Sequence, residues 1–142
     1  MLRARQTLEI LCGVLEHAAL TDFREMDFGA FEMRSYEEMK REPAYLHWIA
    51  DQTGEVACPG GESAAQFKAR MFRAFDALVS NGEDALVICH GGAISNIMAR
   101  LFPHENRHFY EWQPAFGHGY AIVCSNGSAV SYHAIPNSTG TQ

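Results

Sequence analysis

A chain of 142 residues, 47% hydrophobic and 20% charged, has the composition of one globular domain, which excludes a disordered or fibrous chain. Its formal net charge of -6 argues against nonspecific nucleic-acid binding and leaves any anionic ligand dependent on a local basic pocket. No apolar run has membrane-spanning length, and Cys12, Cys58, Cys89 and Cys124 are spaced as the separate thiols of a reduced, cytoplasmic protein.

Leu2 to His17 is predicted as a helix with Leu8, Leu11 and Leu15 along one apolar stripe and Ile10 and Val14 beside it. Thr21 to Met33, a mixture of acids, aromatics and Gly29, reads as loop. Ser35, followed by Glu37 and Glu38, is placed to cap a helix running to about Trp48, which Pro43 ends early or kinks. The turn cluster Cys58-Pro59-Gly60-Gly61-Glu62 leads to Ser63, which opens an amphipathic helix to about Val79 with Phe67, Met71, Phe75 and Leu78 on its buried face. Ala85 to Cys89 is predicted as a strand, and its apolar run fits one covered on both faces. A helix from Ala93 to Leu101 stops before Pro103. Tyr120–Ser125 and Ala129–Ala134 are expected to pair as a hairpin around Asn126-Gly127, and the polar tail from Asn137 to fray.

The segment Leu86-Val87-Ile88-Cys89-His90-Gly91-Gly92 carries the chemistry. An apolar run followed by a histidine, two glycines and a helix start offers unpaired backbone N–H groups to an anion, with glycines that let it approach. His90 stands where it can touch that anion. A cation clamp and an acid remain to be found among the arginines and glutamates of the chain. No histidine, cysteine or carboxylate spacing marks a metal site. His104 and His108 are four apart on a possible turn but have no evident third ligand, and no cofactor is implied. Phe109, Tyr110, Trp112, Phe116 and Tyr120 read equally as a substrate entrance, as core or as a dimer seam.

Four blocks in this order resemble the histidine phosphatase superfamily, which includes phosphoglycerate mutases and α-ribazole phosphatases. They are Leu2-Arg3-Ala4-Arg5-Gln6-Thr7; Phe23-Arg24-Glu25-Met26-Asp27-Phe28-Gly29 with Phe31-Glu32; Pro59-Gly60-Gly61-Glu62-Ser63 with Phe67 and Arg70; and Cys89-His90-Gly91-Gly92. The resemblance implies a three-layer α/β/α, phosphoglycerate mutase-like fold in one domain spanning 1–142. It implies that Arg3 clamps phosphate, that His90 and the Gly91 N–H contact phosphoryl oxygens, that Glu25 protonates the leaving group, and that Glu62 and Arg70 shape the pocket. Asp27 and Glu32 are rival acids.

The family's nucleophilic histidine lies in an Arg-His-Gly motif at the end of its first strand. No such motif occurs in these 142 residues. The expectation is therefore an N-terminally truncated domain that lacks its nucleophile, with an open sheet edge that a homodimer would cover. The implied function is a phosphomonoesterase acting on a small phosphorylated metabolite through a phosphohistidine. The alternatives are a phosphoglycerate mutase and, for the chain as it stands, a non-catalytic protein that binds inorganic phosphate or a partner. Neither nucleic acid nor membrane is an expected partner.

Overall fold

The structure, a computed structural model, describes residues 2–136. Among the described residues five α-helices precede a hairpin: α1 (Leu2–Cys12), α2 (Tyr36–Met39), α3 (Pro43–Ala50), α4 (Ala64–Asn81), α5 (Gly91–Leu101), β1 (Gly119–Ser125) and β2 (Ser128–Ile135). Single tight helical turns at Thr21–Phe23, Gly29–Phe31, Pro103–Glu105 and Phe109–Trp112 shape the connections. The predicted tail from Asn137 lies outside the described residues.

The longest helix, α4, begins as its sequence directs. The Ser63 hydroxyl accepts from the Gln66 N–H at 3.1 Å, and the Gln66 side chain accepts from the Ser63 N–H at 2.9 Å, so two orphan donors are satisfied reciprocally. Gly82, with φ +69°, terminates it in the left-handed conformation. Phe67 and Met71 are buried in a cluster with Phe23, Met26, Phe31, Tyr45, Ala93 and Ile97. Each of the large apolar side chains (Phe, Met and Ile) contributes about 1.5–3 kcal/mol by burial. A second cluster of Met98, Phe102 and Trp112 joins α5 to the hairpin through Tyr120 and Tyr132. The hairpin pairs antiparallel with Ser125 opposite Ser128, and Asn126 and Gly127 both have positive φ, as a tight two-residue turn demands.

Three expectations need correction. The predicted helix to His17 ends at Cys12, because Gly13 adopts φ +73° and its N–H closes back on the Glu9 carbonyl at 2.9 Å. The predicted helix from Ser35 to Trp48 is two helices. Ser35 and Glu38 form the expected capping box, but α2 stops at Met39, and Pro43 starts α3, since a proline fits the first turn and not the interior. The predicted strand Ala85–Cys89 is not a strand: among the described residues the only ladder is β1 with β2, and a strand requires a hydrogen-bonded neighbour. Leu86 is accordingly 61% exposed. Most of the apolar surface of α1 is open too, with Ile10 and Leu11 exposed, Leu8 half-buried and no buried residue on that helix.

A seam between two loops positions the site. Ala30 N–H donates to the Pro59 carbonyl at 2.8 Å and Glu62 N–H to the Asp27 carbonyl at 2.9 Å. A methyl group on Gly29 would stand 2.3 Å from the Pro59 oxygen, and one on Gly61 2.4 Å from the Asp27 oxygen. Backbone packs directly on backbone here, which requires glycine at both positions.

Candidate active site

His90 caps the N-terminus of α5 and is 8% exposed. Its Nδ1 lies 3.3 Å from Nε of Arg3. A guanidinium nitrogen only donates, so Nδ1 must accept, and the ring is then the neutral tautomer with its proton on Nε2. Burial and then the Arg3 charge hold the His90 pKa below its ordinary value, outweighing the opposite pull of Glu25. A neutral ring of this tautomer offers one donor, Nε2–H, to a phosphoryl oxygen.

Arg3 reaches this position from the first turn of α1. The Thr7 hydroxyl donates to the Arg3 carbonyl at 2.9 Å, which gives the Arg-Ala-x-x-Thr spacing a local physical meaning: one helical turn separates the two residues. Arg5 lies exposed on the same helix.

Glu25 comes to α5 from the other direction. Its Oε2 accepts from the Gly92 N–H at 3.1 Å and its Oε1 from the Met26 N–H at 3.0 Å. The carboxylate therefore sits on the positive end of the helix. A methyl group on Gly92 would stand 2.5 Å from Oε1, so the second glycine of the pair is what admits the acid. The sequence had singled out Gly91 alone, and the Gly92 contact was unreadable without knowing where Glu25 lies. The Gly91 N–H stands at the first position of α5, outside the intrahelical ladder.

Behind Glu25, Arg70 binds the loop to α4. Its Nη1 donates to the carbonyls of Asp22 and Arg24 at 2.7 and 3.0 Å, and its Nη2 to the carbonyl of Glu25 at 3.0 Å. Its Nε and Nη2 also form a two-pronged ion pair with Glu62. The paired side chains are only 12% and 16% exposed. Burial pushes the Glu62 pKa up, but the Arg70 bond, the Asp27 N–H and the Arg70 charge outweigh it and hold the carboxyl below its ordinary value. The rival acids are engaged in turns: Asp27 accepts from the Gly29 N–H at 2.9 Å and Glu32 from the Phe28 N–H at 3.1 Å.

Arg3, Glu25, His90 and Gly91 thus meet at the N-terminus of α5, while Glu62 and Arg70 stand behind the loop that carries Glu25. Of the aromatic stretch, Trp112 is core at 1% exposure and Phe116 is fully open. Among the described residues no three His, Cys, Asp or Glu side chains gather as a metal would require, and no helix is long and apolar enough to cross a membrane.

The model of the histidine phosphatase superfamily (branch 1) matches residues 1–131. The chain belongs to that family. Among relatives of this chain, an adenosylcobalamin/alpha-ribazole phosphatase of Salmonella typhimurium is 32% identical over 134 residues, covering 89% of this chain and 65% of that protein. A probable phosphoglycerate mutase of Erwinia tasmaniensis is 28% identical over 104 residues, covering 70% of this chain and 48% of that one. The solved structure of a putative alpha-ribazole-5'-P phosphatase from Escherichia coli superposes with a TM-score of 0.76 at 26% identity, over 92% of this chain and 66% of that one. The mixed α/β topology is therefore that of the phosphoglycerate mutase-like fold. The chain spans about half to two thirds of the length of these relatives.

Proposed function

We propose that this chain holds the phosphate-binding and proton-donating part of a phosphomonoesterase site for a small phosphorylated metabolite. One observation carries the reading: Arg3, His90 and Glu25 converge on the N-terminus of α5, within 3.3 Å contacts of one another or of its backbone. In this reading the Arg3 guanidinium, the His90 Nε2–H and the Gly91 N–H receive the phosphoryl oxygens, whose negative charge the helix end also favours.

Glu25 is the acid for the leaving group. In a longer form of the chain carrying the Arg-His-Gly motif, that histidine attacks phosphorus and the ester P–O bond breaks. Glu25 gives its proton to the departing alkoxide, and water then hydrolyses the phosphohistidine. Glu62 and Arg70 act through Glu25 as positioning residues. Phosphatase is favoured over mutase because the connections around the site are short. The α-ribazole phosphatase relatives make a phosphorylated nucleoside-like metabolite the natural first substrate to try.

A second reading, a non-catalytic phosphate-binding protein, needs only Arg3, His90 and the helix end, which can hold an anion without a nucleophile. We place either form in the cytoplasm, as one domain over 1–142 that pairs as a homodimer through the exposed apolar surface of α1 and Leu86–Val87.

Hydrolysis of p-nitrophenyl phosphate separates the two readings for these 142 residues. Without the covalent nucleophile the expected turnover is far below one per second. A rate of about 1 per second or faster, lost in Glu25→Gln, would show that the chain carries a complete enzyme.

A further inference from the structure

Gln113 has no place in the site built so far, yet its carboxamide lies beside it. A methyl group on Gly91 would stand 3.1 Å from the Gln113 Nε2 and 3.3 Å from its Cδ and Cγ. The amide therefore covers the bare flank of the residue whose N–H opens α5. Its own backbone is held firmly. The preceding Trp112 is 1% exposed in the cluster with Met98 and Phe102, and the Tyr120 hydroxyl donates to the Trp112 carbonyl at 3.1 Å. The Gln113 N–H donates to the Tyr110 carbonyl at 3.2 Å, and Pro114 confines Gln113 to its extended conformation, φ -74° and ψ 113°. On this rigid base the side chain is exposed, and its amide makes no hydrogen bond to any described residue. An anchored, unpartnered amide beside Gly91, the residue that opens α5, has the chemistry of a ligand contact: two neutral donors that carry no desolvation penalty of a charge.

We propose that Gln113 is a substrate-contacting residue, donating from Nε2 to a phosphoryl oxygen held at the N-terminus of α5. The inference rests on the phosphate site proposed above. It places Gln113 on the Gly91 flank and Glu25 on the Gly92 flank, so the ester oxygen faces the acid and the non-bridging oxygens face the amide. The two positions differ in what they tolerate. An acid belongs at Glu25, where a leaving group needs a proton, whereas an acid at position 113 would face phosphate charge with no donor.

Calorimetric titration of the chain with inorganic phosphate at pH 7.5 tests this, using wild type, Gln113→Ala, Gln113→Glu and Arg3→Ala, with the thermal midpoint of each recorded. Gln113→Ala removes one neutral hydrogen bond and is expected to weaken phosphate about three- to tenfold. Gln113→Glu is expected to weaken it further, beyond tenfold, with the thermal midpoint unmoved because the side chain is exposed. Wild-type affinity in Gln113→Glu, beside a clear loss in Arg3→Ala, would overturn the role of Gln113 and leave the phosphate site standing. Equal affinity in Arg3→Ala and wild type, or no phosphate binding at all, would overturn the site itself and the inference with it. A fall in affinity matched by a fall in the thermal midpoint of both Gln113 variants would assign the residue to folding instead and overturn the contact.

Discussion

Arg70→Ala removes the group on which the most hydrogen bonds of the site converge. The guanidinium makes five: two to Glu62 and one each to the carbonyls of Asp22, Arg24 and Glu25. With the Glu62 side chain 16% exposed, its carboxylate is left largely buried without its counter-ion, keeping only the Asp27 N–H at 2.9 Å. Breaking a buried pair by removing one partner costs about 3–5 kcal/mol, and the loop carbonyls can recover water, so the lower half of that range applies. About 3–4 kcal/mol is a large part of the stability of a domain this size.

Urea unfolding followed by tryptophan fluorescence is the assay, since Trp112 and Trp48 both pack in or against the core. Arg70→Lys is expected to lose most of the same stability, because one ammonium cannot reproduce a fork spread over four partners. The pH dependence should change as well. The folded-state pKa of Glu62 lies below its unfolded value, so the unfolded chain binds more protons as pH falls. That contribution is present above the unfolded carboxylate value and lost as pH falls through the folded one. Without Arg70 the acid limb should flatten. A loss below about 1 kcal/mol, or Arg70→Lys equal to wild type, would refute the reasoning.

Gly29→Ala and Gly61→Ala should each destabilise the fold by about 3 kcal/mol or more, measured by the same urea titration, because the new methyl would meet backbone oxygens that cannot swing aside. The His90 ring, followed by NMR, should titrate below an ordinary histidine and move upward in Arg3→Ala, since burial and Arg3 both oppose its protonation. The unfolded chain then binds the proton first, so the His90 contribution to stability is whole above the ordinary histidine pKa and declines as pH falls toward the folded value. Light scattering coupled to size exclusion should show a dimer that covers the exposed Ile10, Leu11 and Leu86, and a single species near 15.8 kDa at high concentration would refute it.

The parts of the fold governed by neighbours in sequence were legible before the structure. Ser63 as a helix start, Ser35 with Glu38, and Asn126-Gly127 each act on neighbours within a few residues, so cap and turn could be read directly, whereas the Gln66 half of the Ser63 cap came from the structure. Pro43 was ambiguous because one residue type both ends a helix and begins one, and only the placement of Met39 and Glu42 around it decides between the two. The apolar run Ala85–Cys89 misled for a different reason. Its composition reports a preference for burial, whereas a strand is a property of two chains of backbone, and no described segment pairs with this one.

In the site, the types and order of Arg3, Glu25, Glu62, Arg70 and His90 pointed to phosphate chemistry. Their division of labour needed the structure. Glu62 and Arg70 serve each other and the loop. The His90 tautomer follows from a guanidinium that sequence alone could not place against the ring. Gly92 and Gln113 were invisible because each matters through a contact with a residue distant along the chain.

The account rests on an anion held between Arg3 and His90 at the N-terminus of α5. Titrating inorganic phosphate while observing the His90 ring by NMR addresses that claim most directly. The account predicts that the His90 signals shift and saturate with phosphate, and that Arg3→Ala binds at least tenfold more weakly, as loss of a charge-assisted hydrogen bond requires. Unmoved His90 signals at saturating phosphate, or equal affinity in wild type and Arg3→Ala, would contradict it.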